Sequence, residues 1–150
     1  MSITRGELLA FLRTYKYCAQ SSRSPEGVPQ VALMGAVVSD SFEVFFDTLA
    51  TTRKLRNLRH DARCAFAFGS TAGGDLRTVQ LDGPSDEPRQ ADLERLKALY
   101  FGAFPQGRER EGWPGMTYLR VRPTWLRYAD YGRTPPLVCS FDAEALAALR

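Results

Sequence analysis

The chain has 150 residues, 44% hydrophobic and 25% charged, with 20 Lys and Arg against 17 Asp and Glu for a formal net charge of +3. That balance points to one soluble domain, long enough to bury a core without staples, and its mild positive charge permits an anionic ligand without demanding nucleic acid. No apolar run approaches the ~20 residues needed to cross a bilayer, and a lone histidine, His60, argues against multi-histidine metal sites and a Ser-His-Asp triad.

The N-terminal stretch MSITRGELLAFLRTY lacks a secretory apolar region and cleavage site. Thr4 to Glu7 reads as a capping box, and Leu8, Phe11, Leu12 and Tyr15 recur on one face, which predicts a helix over 5–15. KYCAQSS reads as a strand ending in the turn-rich SRSPEGVP. QVALMGAVV is a nearly continuous apolar run and predicts a strand buried on both faces. Ser39, Asp40 and Ser41 turn it into EVFFD as a hairpin. A helix is expected from about Thr51 to His60, followed by CAFAF, a strand with one crowded face, and the flexible loop STAGGD.

RTVQLDG alternates, with Val79 and Leu81 on one side and Thr78, Gln80 and Asp82 on the other, and Pro84 and Pro88 should close it. Leu93, Leu96 and Leu99 or Tyr100 predict a second amphipathic helix from Arg89 to about Phe101. FPQGREREGWPG reads as a polar connection or lid, TYLRVR and TWLRYADY as strands broken by Pro123, and the tail as a short helix after Asp142. Six or seven short strands with helical inserts predict a mainly β, α+β domain over 1–150, with an antiparallel barrel and helices packed outside. Cys18, Cys64 and Cys139, odd in number and without metal-ligand spacing, are expected to be reduced thiols in a cytoplasm, packed as small hydrophobes.

The stretch FFDTLATTRKLRNL, residues 45–58, carries the chemistry. A strand ends in Asp47 and Thr48, two more hydroxyls follow at Thr51 and Thr52, and Arg53 and Lys54 open the helix. Cations at a helix start face the positive end of its dipole, an unfavourable placement unless an anion sits there. Hydroxyls, free amides, a planar guanidinium and a point charge would then converge on a phosphate. The alternative is that both cations point into solvent while their stems cover apolar surface.

EVFFDTLATTRKLRNLRHDARCAFAF resembles the phosphate-binding segment of the pyridoxamine 5′-phosphate oxidase-like family, the FMN-binding split barrels. The resemblance spans roughly residues 5–128 and implies a split β-barrel of antiparallel, Greek-key-like strands. By that resemblance Asp47, Thr48, Thr52, Arg53 and Lys54 occupy FMN phosphate and ribityl positions. The backbone of Val31, Ala32 and Leu33 lies along the isoalloxazine ring, and Thr78 stands where the family often has a ring-proximal glutamine. It implies a homodimer with flavin between subunits, to which Trp125, Tyr128 or Tyr100 could contribute from the partner, although a core position is the simpler reading for Trp125. Two departures stand out. Gln30 replaces an arginine that authentic oxidases supply to the phosphate, a loss of ~1.5 kcal/mol or more. The C-terminal Arg-x-His-type motif that holds pyridoxal phosphate is absent, the chain reading LRYADYGRTPPLVCSFD after Trp125.

The expected protein is therefore an FMN-dependent oxidoreductase acting on a small molecule, with NAD(P)H among its admissible electron donors, and not an authentic pyridoxamine phosphate oxidase. The alternative is a non-catalytic flavin-binding sensor or a dimeric interaction module of the same fold. FMN is not separated from a related phosphorylated flavin or deazaflavin. A nucleic-acid reading rests on Arg53, Lys54, Arg56, Arg59 and Arg63, which wrap the helix without an aromatic platform, so neither nucleic acid nor membrane is an expected partner. A haem reading has only His60 as an evident nitrogen ligand; the expected place of His60 is the helix C-terminus, where its charge would be favoured.

Overall fold

The computed structural model describes residues 2–70 and 72–150; the expected STAGGD loop includes Thr71, which lies outside them. Helix α1 (Arg5–Thr14) starts at the expected capping box, with Glu7 N–H donating to Thr4 Oγ1 and Thr4 N–H donating to Glu7 Oε2. It is followed by β1 (Tyr17–Arg23) and β2 (Pro29–Gly35), an antiparallel hairpin in register from Tyr17 opposite Gly35 to Arg23 opposite Pro29. Its turn contains Gly27 at φ 86°, a left-handed conformation that glycine adopts without Cβ strain. The short β3 (Val37–Val38) pairs with β4 (Val44–Leu49), as the expected second hairpin requires. Then come α2 (Arg53–His60), β5 (Arg63–Gly69), β6 (Arg77–Asp86), α3 (Gln90–Ala103), α4 (Gly107–Arg110), β7 (Met116–Val121), β8 (Trp125–Asp130), β9 (Leu137–Asp142) and α5 (Ala143–Ala148).

Every strand pairing is antiparallel, in the order β2-β1-β5-β6-β7-β4-β3, with β8 also on β6 and β9 beyond it. The two ends of that order, β2 and β3, are consecutive in the chain and joined through Ala36, so the sheet curls back on itself into a split barrel. Strand β6 is where the sheet divides. From Arg77 to Asp82 it pairs with β8, whereas Ser85 and Asp86 pair with β7. The chain crosses between these neighbours at Gly83, where a Cβ would collide with the Arg122 carbonyl. This is why Pro84 does not end the strand as its sequence position suggests: it falls at the change of neighbour and stays opposite Arg63.

Alternation along β4 sends Val44 and Phe46 into the main core and Phe45 to the other side, under α3. The main core gathers Leu8, Phe11 and Leu12 of α1, Leu55 and Leu58 of α2, Leu146 of α5 and the inward residues of β5, β6 and β8. A second cluster joins Phe45 and Val37 to Leu96, Tyr100, Phe101 and Phe104, so α3 lies on the outer side of β4. Buried Arg120 and Glu43 tie β7 to β6 and α3, Arg120 donating to Asp86 at 2.6 and 2.9 Å, to Asp92 at 2.9 Å and to Glu43 at 3.2 Å.

Several expectations need correction. The run QVALMGAVV is not one strand buried on both faces: it breaks at Ala36, and Val31 and Leu33 of β2 are 73% and 81% exposed. Trp125, expected in the core, is 36% exposed, whereas Tyr100 and Tyr128 are buried within the chain. Leu99 is also 36% exposed; Leu96, Tyr100 and Phe101 carry the buried face of α3. LVCSFD forms β9, paired along its length with β8, and the polar connection contains α4. Nine strands and five helices occur among the described residues, more than the six or seven strands expected.

Candidate functional site

The link from β4 to α2 is organised by two hydroxyls. Thr52, extended at φ −76° and ψ 147°, is the N-cap, and its Oγ1 accepts from Leu55 N–H at 3.4 Å. The Thr52 hydroxyl donates to the Leu49 carbonyl at 2.9 Å. Its one hydrogen being used, the 2.8 Å contact between the two hydroxyls runs from Thr48 as donor to Thr52. Thr48 and Thr52 are thus occupied in shaping the turn. The first two amides of α2, those of Arg53 and Lys54, have no backbone partner among the described residues and remain available to an anion.

Across from this helix start lies β2, which among the described residues pairs with β1 and has no strand partner on its other edge. Between the two sits a cavity of about 350 Å³ lined by Gln20, Ser22, Gln30, Val31, Ala32, Thr52, Arg53 and Lys54. The lining holds two cations and no carboxylate. Buried Asn57 braces it, donating from Nδ2 to Ser22 Oγ at 3.0 Å and meeting the Gln30 amide at 2.7 Å. With its carbonyl turned the other way, Gln30 accepts from Arg53 Nε at 3.2 Å. In that orientation Gln30 faces Arg53 with its oxygen and no longer accepts from Asn57 Nδ2.

Arg53 is exposed, but Lys54 is half-buried, so the alternative in which both cations point into solvent does not describe Lys54. Its Nζ lies 6.0 Å from the centre of the Phe46 ring. Burial lowers the Lys54 pKa, outweighing the opposing pull of the Asp47 charge. An anion in the cavity would restore the ammonium's preference for its charge. The buried thiols of Cys18 and Cys64 are pushed up to about 12 and about 11, chiefly by burial, and Gln20 Nε2 donates to Cys64 Sγ at 3.1 Å. Both stay neutral thiols, as expected for packed small side chains.

The cavity brings together Val31, Ala32, Thr52, Arg53 and Lys54, with Thr48 attached through its hydroxyl. It does not include Leu33, Thr78 or Asp47. Leu33 and Thr78 point to the outer face of the sheet, where Leu33 sits opposite Ala19, and Thr78 sits opposite Gly69 and Ala129. Asp47, one residue before Thr48, points to the other side of β4, towards α3. There it accepts from Tyr100 Oη at 2.8 Å and from Arg110 at 2.9 and 3.2 Å. Strand parity alone separates Asp47 from Thr48 and was readable from the sequence. Gln20, Ser22 and Asn57 were missed; their place depends on how β1 and α2 dock, which no local motif announces.

The outer face is the other unusual surface. Tyr17, Val31, Leu33, Trp125 and Val138 are exposed there, between 36% and 81%, around the small Ala19, Ala65 and Ala67. No helix among the described residues is long and apolar enough to cross a membrane, and no group of three or more metal-binding side chains occurs among them.

A family model described as pyridoxamine 5′-phosphate oxidase matches residues 4–130. No curated protein matches the chain in sequence. Among solved structures, a heme binding protein from Mycobacterium smegmatis is similar with a TM-score of 0.82 and 19% identity, covering 99% of this chain and 62% of its own. This chain thus spans less than two thirds of that protein's length. The heme storage protein HutZ from Vibrio cholerae has a TM-score of 0.70 and 15% identity over 81% of this chain and 91% of its own. An FMN binding protein related to pyridoxamine 5′-phosphate oxidase, from Nostoc punctiforme, has a TM-score of 0.67 and 13% identity over 91% of this chain and 87% of its own. At such identities the likeness is one of fold.

Proposed function

The chain belongs to the pyridoxamine 5′-phosphate oxidase family, and from that premise we propose that it binds FMN, phosphate first, in the cavity between β2 and the start of α2. The single observation that carries this reading is the lining itself: two cations, two free helix amides and polar side chains, with no carboxylate to compete. Arg53 and Lys54 would neutralise the phosphate, and the Gln30 oxygen, turned towards Arg53, would orient its guanidinium. Thr48 and Thr52 would support the turn, and the open edge of β2 from Val31 to Leu33 would offer backbone groups to the ring. Thr78 and Leu33 would meet the flavin only from the outer face. FMN supplies a hydride acceptor and donor; this chain's part is to bind it, orient it and keep water from it.

The outer face supports a homodimer. Val31 and Leu33 of β2, beside Ala19 of β1 and Ala65 and Ala67 of β5, make an apolar patch of the kind a second copy covers. The flavin would sit at its margin, between subunits. On this reading the protein is an oxidoreductase for a small molecule, with NAD(P)H as an admissible donor, and it works in the cytoplasm with its thiols reduced. If no turnover accompanies binding, the non-catalytic sensor reading takes its place.

Heme-binding neighbours make haem the competing ligand. His60 is exposed at the last position of α2, outside the cavity lining, and the lining's chemistry suits a compact dianion. Absorbance of the purified protein, alone and after mixing with FMN or hemin, decides between them. Flavin bands and an FMN-dependent rise in melting temperature are expected. A Soret band on hemin addition with no response to FMN, or no response to either ligand, overturns the proposal.

A further inference from the structure

The geometry points to Arg110 as a positioning residue for the anion cavity: it masks the Asp47 carboxylate, which sits on the face of β4 opposite Thr48. Asp47 and Thr48 are neighbours on opposite faces of β4. Thr48 is joined through Thr52 to the start of α2, so a full negative charge at Asp47 is carried by the residue next to the hydroxyl pair that shapes that helix start. It acts on Lys54, opposing the effect of burial on that ammonium.

Two side chains, Tyr100 and Arg110, hold Asp47. Tyr100 Oη donates to one carboxylate oxygen at 2.8 Å, and Arg110 Nε and an Arg110 terminal nitrogen reach the other at 3.2 and 2.9 Å. Arg110 also donates to Tyr100 Oη at 3.2 Å, which closes the triangle. The Asp47 and Arg110 side chains are only 14% and 28% exposed, so solvent screens their charges less than those of a surface pair. Arg110 is carried by α4, a single turn held by its neighbours: Lys97 of α3 pairs with Glu111, and the Arg108 guanidinium lies 5.0 Å over the Phe101 ring. Trp113 N–H donates to the Arg110 carbonyl, and Ala50 N–H, next to the anion turn, donates to Gly115 O at 2.8 Å. The polar segment after α3 is thus a fixed counter-charge for the far side of the site.

This inference rests on the anion reading of the cavity for its ligand effect, but its electrostatic core can be tested without ligand. Arg110→Gln, Asp47→Asn and the double variant are compared for Lys54 titration, followed by NMR of the dimethylated amines with Lys54→Arg to assign the signal. Arg110→Gln should raise the Lys54 pKa by exposing Asp47, Asp47→Asn should lower it, and the double variant should resemble Asp47→Asn. FMN titration of the same proteins should show roughly three- to tenfold weaker binding in Arg110→Gln, restored in the double variant. A merely structural role would lower the melting temperature in both single variants, leave the Lys54 titration unmoved and give no rescue. That pattern overturns the inference. If Lys54 shifts as described while FMN binds none of the proteins, the counter-charge stands and the flavin reading fails.

Discussion

Replacing Thr52 with alanine tests whether the turn is built as described. The hydroxyl makes three contacts: it accepts from Leu55 N–H, donates to Leu49 O and accepts from Thr48. Losing an N-cap costs about 1 kcal/mol. Thr48, only 6% exposed, is also left with an unpaired hydroxyl, at a further ~1–2 kcal/mol. The total of about 2–3 kcal/mol corresponds to a fall in melting temperature of roughly 4–12 °C for a domain of this size. Thr48→Val should cost less, about 1 kcal/mol, because Thr52 keeps its other two partners. The double variant strands neither hydroxyl, so it should be more stable than the sum of the single changes by about 1 kcal/mol. Thr52→Ser should stay within ~0.5 kcal/mol of the parent. Urea and thermal denaturation of the four proteins measure these differences. Strict additivity, or a Thr52→Ala protein as stable as the parent, refutes the hydroxyl relay.

Leu33→Glu combined with Val31→Glu should give a monomer by light scattering with little change in far-ultraviolet circular dichroism, since both side chains are exposed in the single chain; a dimer that survives would place the subunit contact elsewhere. Gly83→Ala should destabilise by about 3 kcal/mol or more, because its methyl would strike the Arg122 carbonyl where β6 changes neighbour; a protein of unchanged stability would contradict that crossing. Asp86 is held below the usual carboxylate range by the Arg120 guanidinium, and in Glu43 the hydrogen bonds and charges of Arg95, Ser39 and Arg120 outweigh the upward push of burial. Both carboxyls bind protons more weakly folded than unfolded, so their stabilisation is present above about pH 4 and lost as pH falls through their lower folded values. Melting temperature should therefore drop on acidification below about pH 4, less steeply in Asp86→Asn; an identical acid profile in that variant would contradict the assignment.

Local signals carried most of the fold. The capping box at Thr4, the two hairpins, the crowded face of CAFAF and the alternation of RTVQLDG all stand where the side-chain periods place them. What periods cannot show is which apolar residues a fold leaves outside. Val31 and Leu33 have the composition of a core, yet they lie exposed on the outer face, because the pairing of β2 with β1, not apolarity alone, sets which way they point. Pro84 misled for a tertiary reason: it stays opposite Arg63 of β5 while the other side of β6 changes from β8 to β7, strands that come far along the chain. LVCSFD, with its mixed pattern, becomes β9 only because β8 offers it an edge. At the site, the hydroxyl and cation motif located the helix start, but Gln20, Ser22 and Asn57 come to it through tertiary contacts, and Asp47 is turned away by parity.

The central claim is that Arg53 and Lys54 hold a phosphate group, and the comparison of FMN with riboflavin addresses it most directly. The parent protein should bind FMN more tightly than riboflavin by at least about 3 kcal/mol, the scale of two charge-assisted contacts. Arg53→Gln with Lys54→Gln should remove most of that preference and leave riboflavin affinity and circular dichroism unchanged. A double variant that still prefers FMN by the full margin, or a parent that binds both flavins equally, would contradict the account.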